Sequence, residues 1–260
     1  GKGSDAADAS DTKLKAPNIS SNWLAMKTQM KQDKKSGKKA KPQTAGDKGK
    51  VTESIPRGKG TEGSPGYIIP EGDLSTFPAP LAVDCEMVGI GETGKSSALA
   101  RVSIVDRNGE VVLDTYVAPQ EKVTDFRTKV SGIRPQNLKS APQFKRIQKI
   151  VSDITKNKIL LGHAIENDLK ALLLVHPKHL VRDTAKYRPF QSLQKKSRKL
   201  RDLAEEFLGL TIQTDEHSSV EDARATLLLY KHVQASWEKA LAAKAAQLER
   251  IKGKKKGKKP

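Results

Sequence analysis

Between residues 77 and 238 apolar positions recur with two different periods, and the switching between them maps a series of strands and helices. Leu81 to Val88 is apolar and β-branched enough for a buried strand. Ala100 to Asp106 alternates. Asp106-Arg107-Asn108-Gly109 carries an Asn-Gly hairpin signal, with a partner strand over Val111 to Val117. Ser131 to Ala141 is rich in turn residues. After Pro142 the period lengthens, and Phe144, Ile147, Ile150, Val151 and Ile154 share one helical face. Ile159-Leu160-Leu161-Gly162 predicts a short buried strand, followed by a helix with Leu169, Leu172 and Leu173 inward. Leu180 to Asp183 predicts a fifth strand. Leu200 to Leu208 predicts a helix ended by Gly209, and a long helix begins near Ser218 or Ser219 with Val220, Ala223, Leu227 and Tyr230 on one stripe. Three antiparallel strands followed by strand–helix alternation predict an α/β fold, a mixed five-stranded sheet flanked by helices.

The flanks lack this pattern. Residues 1–76 are rich in Lys, Gly, Ser, Asp and Pro and hold too little apolar surface to offset their ordering entropy, so they read as mostly disordered. Near 20–31, Ser21 or Asn22 would cap a short docking helix carrying Trp23, Met26 and Met30 on one side. Residues 239–260 hold nine basic residues and one acid and read as a solvated, disordered basic tail. In the whole chain of 260 residues, 48 Lys and Arg face 30 Asp and Glu, a net charge of +18 that points to polyanions and above all to nucleic acid. One cysteine excludes a disulfide framework and a Cys-based zinc site. No run approaches the ~18 apolar residues of a membrane span, no apolar segment near the start reads as a secretory leader, and no membrane partner is expected.

Gly89 to Ser96 spells a phosphate-loop pattern, G-x-x-x-x-G-K-S, directly after a predicted strand. Such a loop needs a following helix whose N-terminal amides cradle the phosphate. Here an alternating strand follows instead, so the segment reads as a Gly-rich turn and no nucleotide cofactor is expected. The preceding strand offers other chemistry. Residues two apart on a strand share a face, so Asp84 and Glu86 project together while Val83, Cys85 and Met87 project to the other side. Two acids on one face of an apolar strand are costly without positive charge between them. Asp168 begins one predicted helix and Asp222 lies in the first turn of another. Each alone reads as ordinary N-terminal helix charge. Together the four acids supply hard oxygen ligands suited to Mg²⁺ or Mn²⁺. His217, five residues before Asp222, is placed to take a proton from a water held beside such a metal site.

Asp84-Cys85-Glu86-Met87-Val88-Gly89, Gly162-His163 through Asp168, and His217 through Arg224 resemble, in order and context, the three motifs of the DEDDh exonucleases. Ser97 to Ser103, Thr124 to Thr128 with Val130-Ser131-Gly132, and Asp183-Thr184 with Lys186-Tyr187 are similar to the RNA exonuclease 4 family within that group. The resemblance spans roughly residues 80–235. It implies a ribonuclease H-like fold for residues 77–238 and 3′→5′ exonuclease activity. Asp84, Glu86, Asp168 and Asp222 would be ligands of two divalent metal ions, with His217 as general base. It also implies precursor ribosomal RNA as substrate, a preribosomal particle as partner, and a nuclear, nucleolar location. Met87 is read as packing against the terminal base or sugar, or simply into the core, and Arg127 as binding a substrate phosphate or sugar, or as a surface arginine. Tyr187 and Phe190 are the plausible stacking aromatics. Two other functions share these residues: an assembly factor whose nuclease activity is secondary, and a DNA exonuclease.

Overall fold

The computed structural model describes Thr28 and residues 68–256. The fold is built on β1 (Leu81–Ile90), which lies between β2 (Ser96–Val105) and β5 (Leu160–Gly162). β2 pairs with β1 and with β3 (Val111–Tyr116), both antiparallel, while β5 and β6 (Val181–Asp183) add parallel strands on the other side. The sheet order is β3-β2-β1-β5-β6. The turn at Gly91 to Lys95 joins β1 to β2 with no helix after it, and Gly91 and Gly94 take positive φ. The phosphate-loop pattern is thus a hairpin turn. A Cβ on Gly89 would sit 2.3 Å from the Gly94 carbonyl oxygen, so this turn closes only on a glycine.

Alternation along β1 divides the interior. Leu81, Val83 and Cys85 face one core, shared with Phe144, Ile147, Val151 and Ile154 of α3 (Phe144–Thr155). Ala82 faces the other, filled by Leu203, Leu208, Leu227, Leu228 and Tyr230. α6 (Ser219–Lys256) closes that second face. The remaining helices are short: α1 (Thr128–Ser131), α2 (Pro135–Leu138), α4 (Glu166–Ala171) and α5 (Leu200–Leu203), the last running into a π-helical turn over Ala204–Leu208 that ends at Gly209 with φ 60°.

Four expectations change. The sheet has six strands, not five: β4 (Val123–Asp125) pairs with the far end of β1. One half-buried and two exposed residues in a polar stretch leave no periodicity to read. Among the described residues the fold already includes Ile68, upstream of residue 77. Ile68 and Asp114 exchange backbone hydrogen bonds of 2.8 and 2.9 Å on the edge of β3, and Ile69 and Leu74 pack on the core. Leu173 is 66% exposed, not inward, because α4 ends at Ala171 and Leu173 takes φ 50°. Residues 239–256 continue α6 as helix instead of forming a disordered tail. Of the docking segment near 20–31, Thr28 is helical and exposed; Trp23, Met26, Met30, the rest of residues 1–67 and residues 257–260 lie outside the described residues.

Gly162 closes β5 where the chain must turn sharply into α4. A Cβ there would stand 2.6 Å from the Ile165 Cβ, and Ile165 is buried against β1's core. Gly162→Ala should therefore cost about 1–3 kcal/mol through overpacking. The expected readout is a lower urea midpoint with an unchanged m-value. An unaltered midpoint would show that Ile165 can shift at no cost.

Candidate active site

β1 and β5 pair only through Leu81–Leu160 and Ala82–Leu161. Beyond that point β5 ends and β1 runs on alone toward β4, which opens the sheet on one side of β1. This is the crevice at the carboxyl ends of parallel strands where the strand order switches, a favoured ligand position. Asp84 and Glu86 lie on the stretch of β1 that borders it. On β2 their cross-strand partners are Ser103 and Arg101. Arg101 clamps Asp114 through two 2.9 Å hydrogen bonds and leaves its positive charge near Glu86.

The other two acids arrive by different routes. α4 delivers Asp168, whose Oδ1 accepts the Cys85 backbone N–H at 2.9 Å. α6 delivers Asp222. The start of α6 is pinned to the sheet by a 2.6 Å hydrogen bond between the hydroxyls of Ser219 and Ser103, and Ser103 donates to Asp114 at 2.7 Å. Asp222 Oδ2 accepts from Gln213 Nε2 at 2.7 Å and lies 3.8 Å from Nδ1 of His217. His217 is held by its own backbone N–H, which donates to the Val130 carbonyl at 2.8 Å, and by the neighbouring Arg134–Glu216 ion pair. The structure thus brings together all five residues singled out in the sequence.

Glu86, Asp168 and Asp222 are buried, and Asp84 is half-buried between two openings. One cleft of about 390 Å³ is lined by Asp84, Glu86, His217 and Asp222, with Arg198 and Lys199 on its wall. The other, about 570 Å³, is lined by Asp84, Asp168, Met87, Ser97 and Asn167. His163 borders both. Met87 lines the larger cleft while half-buried against the core. Arg127 donates through its guanidinium to the Gly94 carbonyl and to Ser97 Oγ at 2.9 Å each, which ties it to the β1–β2 turn next to Ser97 on the wall of the larger cleft. Phe190 is buried in the core, and Tyr187 stacks on Trp237 at 4.1 Å, so neither is a free platform for a base.

Burial and repulsion from neighbouring carboxylates push Asp84, Glu86 and Asp168 toward protonation. Burial, then the charges of Asp168, Asp222 and Glu86, holds Asp84 well above the usual carboxylate range. Burial raises Glu86 to about 8, with repulsion from Asp222 partly offset by Arg101. Burial raises Asp168 to about 7 against the hydrogen bonds from Cys85, and Asp183 adds repulsion. Burial and the Arg201 charge move His217 below its ordinary value, which keeps the imidazole neutral at pH 7. Among the described residues, no group of three or more His, Cys, Asp or Glu side chains is placed so that it could hold a metal ion as it stands. The donor set nevertheless fits divalent ions that retain waters. It is all hard oxygen, it is electrostatically short of a cation, and the buried Glu86 Oε1 has no hydrogen bond. Sequence reading missed Asp183, Gln213 and the place of His163. Asp183 holds the amides of Ala164 and Ala185 at 2.8 and 3.0 Å, and nothing in spacing marks such contacts.

In the metal-free chain Glu86 and Asp168 keep protons that the unfolded chain, with values of 4.5 and 3.8, releases. Their stabilising contribution is whole below those unfolded values and is lost as pH rises through about 7 and then about 8. The melting temperature in EDTA should fall between about pH 5 and pH 8, whereas stabilisation by added Mg²⁺ should grow over the same range. Calorimetry at each pH measures both trends; a rising EDTA profile would contradict the assigned electrostatics.

Residues 81–230, which contain all five site residues, match the family model RNase_T, described as Exonuclease. RNA exonuclease 4 of Mycosarcoma maydis is 54% identical over 164 residues, covering 62% of this chain and 44% of that protein. RNA exonuclease 4 of Saccharomyces cerevisiae is 53% identical over 161 residues, covering 61% of this chain and 56% of that protein. The chain thus spans about half the length of the curated relatives it matches. Among solved structures, the Saccharomyces cerevisiae Pan2 pseudoubiquitin hydrolase–RNA exonuclease module in complex with AAUUAA RNA is similar, with a TM-score of 0.55 and 26% identity over 74% of this chain and 37% of that one. Fold, site and family model agree, and the chain belongs to the RNase_T exonuclease family.

Proposed function

We propose that this chain is a 3′→5′ exoribonuclease that removes nucleoside 5′-monophosphates one at a time. The observation that carries the reading is the convergence of four desolvated acids and a neutral histidine at the junction of two clefts. Asp84, Glu86, Asp168 and Asp222 are the residues that would hold two divalent ions, Mg²⁺ or Mn²⁺, and these supply positive charge against the phosphodiester and acidify a water. His217 accepts the proton of that water as general base, and the adjacent Asp222 carboxylate favours the imidazolium that results. Met87, Ser97 and Asn167 shape the larger cleft for the terminal nucleoside. Lys170, Arg198 and Lys199 bring positive charge to the walls, where it attracts the phosphate backbone without reading bases.

We take the substrate to be precursor ribosomal RNA, the partner a preribosomal particle and the location the nucleus and nucleolus. The identity to RNA exonuclease 4 proteins and the net charge of +18 support that assignment.

A 5′-labelled single-stranded RNA should shorten from its 3′ end in Mg²⁺ and stay intact in EDTA. Asp84→Ala should lower the rate by at least about 10²–10³-fold, the scale of losing one charge-stabilising group. His217→Ala should cost about 10²–10⁴-fold, the range of general base catalysis. Metal-independent cleavage, or full activity in Asp84→Ala, would refute the site. Faster shortening of matched DNA would make the chain a DNA exonuclease. No shortening of either would favour an assembly factor.

A further inference from the structure

Behind α4 lies a groove that the proposed reaction does not use. It measures about 840 Å³. Its floor is apolar: Ile165 just before α4, Leu169 of α4, Leu174, Val181, and Trp237 of α6. Val175 at its border is 98% exposed. The apolar line then leaves the domain along α6. Leu241, Leu248 and Ile251 are 36%, 49% and 46% exposed. Spacings of four, seven and three residues after Trp237 keep them on one side of the helix. Scattered apolar side chains need no explanation, but a groove continued by a stripe over several turns marks an interaction surface.

The rim of this surface is basic. Lys170, Lys178, Lys186, Arg188 and Lys244 surround the groove against two acids, Glu166 and Asp183. Both acids already face Lys186, so the remaining cations set the sign of the field. That sign selects the occupant. A second copy would bring the same basic rim and stripe. The chain's own segment 19–31 carries Lys27 and Lys31 and no acid. RNA would satisfy the cations but gain nothing from a floor of Ile, Leu and Val, and the Trp237 ring is already covered by Tyr187.

We propose that the groove and the α6 stripe dock an acidic helical segment of a partner protein, anchored by apolar side chains at i, i+3 or i+4, and i+7. An amphipathic helix in an apolar groove is an established mode of recognition, and the charged rim adds orientation and association rate. The groove adjoins the acid cluster: Leu169 follows Asp168 on α4, Ile165 stands just before that helix, and Lys170 borders both the groove and the larger acid-lined cleft.

The test is a selection of displayed random peptides of about 16 residues, roughly four helical turns, on the full chain. The counter-target is Val175→Glu/Leu241→Glu. Both positions are surface residues outside the acid cluster, so RNA shortening should stay at the wild-type rate. Enriched peptides should be acidic with the stated apolar spacing. Their affinity should fall at least about tenfold on the double variant, the effect of losing one apolar anchor or more. A second variant, Lys178→Glu/Lys244→Glu, leaves the apolar floor intact and should weaken the same peptides comparably. No enrichment, enrichment of basic or uncharged peptides, or binding indifferent to both variants would overturn the proposal. So would groove-dependent binding of a fluorescent RNA without peptide binding, or a concentration-dependent dimer abolished by the double variant.

Discussion

Like charges gathered away from water are the constraint on which the rest of this structure depends. Two unit charges about 4 Å apart repel by about 4 kcal/mol at an effective dielectric of about 20. A whole domain is stable by only about 5–15 kcal/mol. Four fully ionised acids around one crevice would therefore consume much of that stability unless protons or cations intervene. The protein supplies little relief of its own. Arg101 stands near Glu86, but its guanidinium is bound to Asp114. The rise of Glu86 to about 8 and Asp168 to about 7 is the electrostatic record of that shortage. A site built this way favours any ligand that brings positive charge, and its four acids are held in place by three separately anchored elements, β1, α4 and α6.

Those anchors explain why the surrounding polar contacts are where they are. Asp84 and Glu86 need only the alternation of β1, because the central strand is held on both sides over its first residues. Asp168 sits on a helix of six residues, too short to hold position by itself. The Cys85 amide fixes its carboxylate, Gly162 lets Ile165 pack closely, and Asp183 ties the Ala164 amide to the end of β6. Asp222 has a long helix behind it but must be aimed. The chain Ser219–Ser103–Asp114–Arg101 does this, linking the start of α6 through β2 to β3. His217 lies on the loop before α6 and is secured through backbone and ion-pair contacts to the α1–α2 region.

The separation between legible and illegible features follows the range of the interaction concerned. Asp84 and Glu86 were readable because strand period fixes their shared face. The α3 face at Phe144, Ile147, Val151 and Ile154 was readable because helix period does the same. Asp168, Asp222 and His217 were recognisable from motif order, although their separate spacings said only that helices begin there. For Arg127 a substrate contact and a surface position stayed equally open, because an arginine's local sequence does not reveal which carbonyls lie within its reach; here they are those of the β1–β2 turn. Gln213 and Asp183 act through contacts set by tertiary folding. β4 and the Ile68 bridge are backbone pairings on existing strands, which demand almost nothing of side-chain pattern.

α6 shows why composition and conformation must be read separately. Its first half is held by burial: Leu227, Leu228, Leu229, Tyr230 and Trp237 all fill the core. The last anchor is Glu238, which receives two hydrogen bonds from Arg182 and one from Tyr230, all between 2.7 and 2.9 Å. From residue 239 to 251 the side chains are exposed, yet the helix goes on to Lys256. Residues 239–252 are dominated by Ala, Lys, Leu, Gln, Glu and Arg, the strongest helix formers. Charge alone suggested a disordered tail. An isolated stretch of this length would be marginal in water because nucleation is costly, but here the nucleus is already supplied by the buried half. Propagation from a fixed start requires only propensity. A basic segment with no core of its own is thereby held as a helical extension of the domain, with its apolar stripe aligned to the groove beside Trp237.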